Sequence, residues 1–128
     1  MIVGIGTDLV EISRIRKIHE RFGERLADRL LGQLELEGFT SCPDPAAFLA
    51  KRFAAKEAAA KALGTGFQQG LSWADIQVCH SALGQPQLCW AGRALERLHT
   101  LGVQVQSHIS IADERGHALA FVVLERIS

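Results

Sequence analysis

Two carboxylates and one lysine lead the residues whose types and spacing could do chemistry in this chain. Asp8 follows a short apolar run, Ile2, Val3 and Ile5 broken by Gly4 and Gly6, and precedes a helical pattern. A carboxylate at that junction has two explanations. With Glu11 it has capping-box spacing, Asp standing in for Ser or Thr. It also suits a hard-metal ligand held at a strand end, which a cap would not exclude. Glu57 and Lys61 are four apart, in the favourable order for a helical ion pair. As a solvated pair they contribute only about 0.3–0.5 kcal/mol. The same helix face carries Ala50 and Ala54, too small to fill space, so the spacing predicts an alanine-lined groove where a ligand approaches the helix closely. Residues 51–61 hold four basic side chains, Lys51, Arg52, Lys56 and Lys61, against Glu57 alone, which suits a polyanion.

Other motifs carry less. Gly64-Thr-Gly66 is a helix stop, since the phosphate-loop pattern is absent, and Gly4-Ile-Gly6 has Leu9 where a dinucleotide fingerprint requires Gly. Arg14, Arg21 and Arg25 share one flank of the first helical pattern with Lys17 nearby. That flank is either a solvated face, diluted by Glu20, Glu24 and Asp28, or a docking strip for an acidic protein helix. His108 and Ser110 alternate with Ile109 and Ile111, so both point to one face of a strand. No Ser–His–Asp spacing stands out. Cys42, Cys79 and Cys89 form no Cys-x-x-Cys, which argues against a structural zinc site or a redox pair and for a reduced compartment.

The chain around these residues has 128 positions, enough for one domain spanning 1–128. Hydrophobic residues are 48% and charged residues 22%, so disorder is excluded. Fourteen Lys and Arg balance fourteen Asp and Glu, so any electrostatic partner must meet a local patch. Tyr is absent and aromatics are only 6%, which disfavours single-stranded nucleic acid. No basic leader and no run of ~18 apolar residues occurs, which predicts a cytoplasmic protein without a membrane span.

The positioning elements follow from periodicity. A strand opens the chain. Ile15, Ile18, Phe22, Leu26 and Leu30 form a helical apolar stripe interrupted at Gly23. Asp44 as N-cap and Pro45 at the first position start the clearest helix, residues 45–63, with nine alanines. Residues 76–80 and 87–90 read as a hairpin and 91–101 as a further helix. Residues 103–111 and 118–124 read as strands joined through a turn at 113–116. The expected class is α+β with an antiparallel sheet packed with helices, in the order β-α-α-β-β-α-β-β.

Together these segments resemble the holo-acyl-carrier-protein synthase family, the phosphopantetheinyl transferases that activate acyl carrier proteins. Gly4-Ile-Gly-Thr-Asp8-Leu-Val-Glu11-Ile-x-Arg14-Ile is similar to its opening motif. Arg52-Phe-Ala-Ala-Lys-Glu57-Ala-x-x-Lys61-Ala-x-Gly64-Thr-Gly66 is similar to its central one. Gly84-x-Pro86 resembles its hairpin turn and His108-Ile-Ser110-Ile its closing strands, although Ala112 stands where some members have a second His. The resemblance implies transfer of phosphopantetheine from coenzyme A to a serine of apo acyl carrier protein, in fatty acid biosynthesis, releasing adenosine bisphosphate. It implies Mg²⁺ on Asp8 and Glu57, and Asp8, Glu57 and Lys61 as the catalytic set. Glu57, directly or through a water, would take the serine proton, and Lys61 would steady the phosphates. Arg52, Lys61, Gly64, Pro86 and His108 would line the coenzyme A site, and Arg14, Arg21 and Arg25 would dock the carrier. It further implies a homotrimer with sites between subunits. Two alternatives stay open on the residues alone: a metal-dependent phosphohydrolase, and a non-catalytic oligomeric binding module.

Overall fold

A long alanine-rich helix laid across a three-stranded antiparallel sheet organises this protein. The computed structural model describes residues 1–68 and 70–128. Strand β1 (Ile2–Glu11) leads to helices α1 (Ile12–Phe22), α2 (Glu24–Leu30), a short α3 (Leu36–Ser41) and the central α4 (Pro45–Ala62). The hairpin β2 (Ile76–His80) and β3 (Pro86–Trp90) follows, then α5 (Gly92–His99), β4 (Val105–Glu114) and β5 (His117–Arg126). The main sheet has the order β1-β5-β4, and β2-β3 forms a separate ladder. The α+β class with antiparallel pairing therefore holds. Gly23 divides the first helical pattern into α1 and α2, in keeping with the interruption read there, and one detail differs: α3 adds a turn of helix before α4. No helix among the described residues is long and apolar enough to cross a membrane.

β1 is a longer strand than its apolar run suggests. It pairs with β5 out to Glu11, placing Asp8 opposite Ala120 and Val10 opposite Ala118. Asp8 is thus inside a strand, and the capping-box expectation fails. Glu11 occupies the N-cap of α1, with no side-chain cap bond. The alternation Leu9, Val10 keeps the backbone extended because both faces of the sheet are apolar there.

α4 begins as its sequence signals indicate: the Asp44 carboxylate accepts from the Ala47 N–H at 3.3 Å, and Pro45 follows. Its alanines Ala50, Ala54, Ala58 and Ala62 are buried in one core with Val10, Ala118, Ala120, Val122 and Leu124. The expected alanine-lined ligand groove is therefore absent, because those methyls face the sheet. Their purpose is close approach. A Cβ added at Gly4 or Gly6 would land on the carbonyl oxygens of Ala62 and Ala58.

Charge also enters the core. Lys56 is fully buried, and its Nζ donates to Glu35 Oε1 (2.6 Å), to the Leu30 carbonyl and to the Trp73 carbonyl (3.0 Å). Glu35 accepts further from the Gly32 and Val78 N–H groups. Arg52 Nε lies 3.2 Å from Glu35 Oε2, close enough for an ion pair but off the line of a hydrogen bond. Lys56, counted in the sequence among the cations available to a polyanion, is committed to the interior instead. Burial pushes its ammonium pKa down, and the Glu35 charge opposes that fall.

Removing one member of a buried pair strands the other, a loss of about 3–5 kcal/mol. We expect Lys56→Met to lose stability on that scale in urea unfolding, and Glu35→Gln in the same chain to restore part of it. If the single variant unfolds at the wild-type midpoint, the pair contributes nothing to the fold.

Candidate functional site

Asp8, Glu57 and Lys61 meet where β1 crosses the last turns of α4. Asp8 alternates inward with Gly4, Gly6 and Val10, so the close approach of the glycines carries its carboxylate against the helix. Lys61 Nζ donates to Asp8 Oδ1 at 3.1 Å and to the Thr7 carbonyl at 3.0 Å. This corrects the expected Glu57–Lys61 helical pair. The strand offers lysine two acceptors, whereas the neighbouring turn of its own helix offers one.

Asp8 Oδ2 is buried and has no hydrogen-bond partner. A buried carboxylate oxygen without a donor carries an unrecovered desolvation cost, and such atoms are rare. Glu57 beside it is half-buried, and desolvation together with the Asp8 charge raises its carboxyl pKa; Lys61 and Arg14 pull it down. Two neighbouring carboxylates, one with an orphaned oxygen and the other half-buried, are a donor set suited to a hard divalent cation. Mg²⁺ takes one or two protein carboxylates and completes its shell with water and phosphate oxygens.

Gly64 closes α4 with its N–H on the Lys61 carbonyl (2.9 Å) at φ +86°, a conformation suited to glycine, and places the helix end beside this cluster. A second group lies elsewhere. Arg52 and Pro86 line one cavity of about 290 Å³ with Phe48, Lys51, His80, Ile111 and Asp113. Arg52 lies over the Phe48 ring, 4.4 Å from its centroid. Desolvation, then the Arg52 and Lys51 charges, pushes the His80 imidazole pKa down, leaving Lys51 and Arg52 as the cavity's cations. In the sequence Lys51 counts only toward a basic segment and His80 is not singled out as a binding residue, because the β2–β3 hairpin brings them together across the chain.

His108 stands apart from both groups. It faces away from α4 on β4, paired with Val123, and its Nε2 lies 3.1 Å from Glu125 Oε1. Ile5, Leu9, Leu119 and Phe121 share that outer face and are 60%, 64%, 43% and 44% exposed. Arg14, Arg21 and Arg25 are exposed along α1 and α2. The bend at Gly23 does not carry Arg25 away, since Arg21 and Arg25 both lie over the Phe22 ring, at 5.1 and 5.9 Å. One chain therefore unites Asp8, Glu57 and Lys61, leaves Gly64 at the end of α4 just beyond Lys61, groups Arg52 with Pro86, and leaves His108 on the opposite side of the sheet.

Comparison with known proteins gives this arrangement a context. The profile of the 4′-phosphopantetheinyl transferase superfamily matches residues 4–122. A holo-[acyl-carrier-protein] synthase of Acidithiobacillus ferrooxidans is 54% identical over 127 residues, covering 98% of each chain. The crystal structure of the Neisseria meningitidis holo-[acyl-carrier-protein] synthase superposes with a TM-score of 0.88 at 44% identity, over 98% of this chain and 99% of that one. The Helicobacter pylori synthase, solved in complex with coenzyme A, superposes with a TM-score of 0.80 at 31% identity, covering 94% and 99%.

The raised Glu57 carboxyl has a consequence for stability. Its folded pKa lies above its unfolded value, so the neutral form is the better tolerated one. Wild-type stability is unimpaired below the ordinary carboxylate range, about pH 4, and falls as pH rises through the folded value. We expect Glu57→Gln to be more stable than wild type at pH 7, with the gap closing toward acid pH, in urea midpoints measured across that range. A variant less stable than wild type at neutral pH would show that the carboxylate is not strained.

Proposed function

Since the chain belongs to the 4′-phosphopantetheinyl transferase superfamily, and to its holo-acyl-carrier-protein synthase type, we propose that it transfers phosphopantetheine from coenzyme A to a serine of apo acyl carrier protein. The observation that carries this is the orphaned, buried Asp8 Oδ2 facing a Glu57 of raised pKa, with Lys61 alongside.

The reaction joins the serine oxygen to the phosphorus bearing pantetheine and breaks that phosphorus's bond to the bridging oxygen, which leaves with adenosine 3′,5′-bisphosphate. The serine proton goes to Glu57, whose raised pKa makes it a stronger base than an ordinary glutamate. Lys61, an exposed ammonium, turns from Asp8 toward the phosphates and neutralises charge as it develops. Asp8 and Glu57 would hold Mg²⁺, which supplies charge neutralisation on the pyrophosphate. Gly64 leaves the end of α4 open to the phosphates. The Arg52–Pro86 cavity, with Lys51, suits the phosphorylated adenosine end of coenzyme A, so the helix segment would meet a polyanion through Lys51 and Lys61 but not Lys56. The nucleophile arrives on the carrier, consistent with the lack of a triad. The exposed Arg14, Arg21 and Arg25 suit an acidic carrier helix, with Arg14 near enough to lower Glu57.

Assembly belongs to the same proposal. Apolar Ile5, Leu9, Leu119 and Phe121 on an uncovered sheet face call for a partner surface. His108 and Asp8 lie on opposite faces of one sheet, so a coenzyme A site using both needs two copies. A cytoplasmic homotrimer closed head to tail, acting in fatty acid biosynthesis, satisfies both demands with three interfacial sites.

Mixing the protein with coenzyme A, Mg²⁺ and apo carrier, then weighing the carrier, tests the chemistry. A gain of one phosphopantetheine is expected, lost in Asp8→Ala and Glu57→Ala. Arg14→Glu should raise the carrier KM well beyond that for coenzyme A. Cleavage of coenzyme A without carrier gain would instead select hydrolysis, and neither outcome would leave a binding module.

The shared site is testable by complementation. Asp8→Ala and His108→Ala chains, each weak alone, should regain activity when refolded together, at interfaces that pair intact halves. Full activity in a monomer by light scattering would exclude the trimer.

A further inference from the structure

Cys79 and Cys89, ten residues apart in sequence, become neighbours in the β2–β3 hairpin. The ladder pairs Cys79 with Gln87 and Gln77 with Cys89, so the cysteines are diagonal neighbours on one hairpin face. Their sulfurs lean together to 2.8 Å, close enough to share a thiol hydrogen. Both are half-buried, within reach of a small oxidant. The missing Cys-x-x-Cys spacing gave no sign of this proximity: strand pairing, and not sequence spacing, brings the two thiols together.

We propose that Cys79 and Cys89 are a peroxide-sensitive dithiol that closes into a reversible disulfide within the native fold. Burial and the hydrogen bond to Cys89 push the Cys79 thiol up to about 11, so Cys79 keeps its proton and Cys89 reacts first. The Cys89 thiol gives up its proton and its sulfur attacks one oxygen of hydrogen peroxide; the O–O bond breaks, and the departing hydroxide takes up that proton and leaves as one water, with a Cys89 sulfenic acid behind. The Cys79 sulfur then attacks the Cys89 sulfur, its proton leaves with the departing hydroxyl as a second water, and the S–S bond forms. Two thiols are oxidised and one peroxide is reduced. The pair is only half-buried, so the bridge stays within reach of a reducing thiol. Cys42, at the end of α3, lies on a separate element and serves as an internal control.

The test counts thiols. Native protein exposed to hydrogen peroxide, then unfolded in an alkylating reagent, should fall from three alkylated cysteines to one, Cys42. Trypsin cuts after Lys61 and Arg93, so both cysteines fall in the peptide 62–93, which should be unalkylated and lighter by two hydrogens. Millimolar reduced glutathione should restore all three thiols, and Cys89→Ser should form no bond within the chain. Three alkylatable thiols after peroxide, a bond between chains or to Cys42, or closure only with loss of the native circular dichroism spectrum would each overturn the proposal. None of these readouts depends on transferase activity.

Discussion

Everything at the site depends on how closely β1 can lie against α4. Helix and sheet normally stand apart by the thickness of two layers of side chains. Here Gly4 and Gly6 present bare backbone to the carbonyl oxygens of Ala62 and Ala58, and alanines line the helix face beneath. Dispersion contacts between backbones replace those between large side chains. The short gap brings a strand carboxylate, Asp8, into the reach of a helix carboxylate and a helix lysine. A larger residue at either glycine would push the strand away and separate Asp8 from Lys61. The same residues that look merely permissive are what assembles the chemistry.

Close packing sets the distance between strand and helix, and the buried Lys56–Glu35 pair sets the helix's rotation. Lys56 and Glu57 are adjacent, so anchoring one side chain inward aims the next outward. Lys56 reaches three acceptors from three separate segments, at Leu30, Glu35 and Trp73, and Glu35 in turn accepts from Val78 on β2. Such a network is costly to desolvate and gains its place by satisfying nearly every polar atom and pinning one arrangement. Arg52, drawn toward Glu35 and laid over Phe48, connects this interior charge to the cavity shared with Pro86. The electrostatics of the core and of the Lys51–Arg52 cavity are therefore continuous.

The sheet separates two environments. One face is sealed by α4 and carries Asp8; the other bears Ile5, Leu9, Leu119 and Phe121 beside His108. The proposed substrate, coenzyme A, is long and flexible and carries three phosphates, more than one face of the main sheet of a single chain can hold. Spreading binding groups over both faces makes sense only if copies associate, which is why catalysis and assembly are joined in the proposed function. The hairpin that carries Pro86, at the Arg52 cavity, also carries the Cys79–Cys89 pair.

Local signals were sufficient where the cause was local. Asp44 and Pro45 marked the start of α4, Gly64 its end, and alternation marked the sheet strands, because caps, turns and pleats depend on neighbours a few residues away. Motif resemblance also identified Asp8, Glu57 and Lys61 as a set. The sequence could not tell that Asp8 lies within a strand, that Lys61 pairs with it and not with Glu57, or that the alanines face the sheet. Each of those depends on β1 pairing with β5, over a hundred residues away, and on α4 crossing them both. Glu35, one acid among leucines, gave no sign of being the partner of Lys56. Charges are buried only when a distant partner neutralises them, and that partner is chosen by the tertiary structure alone.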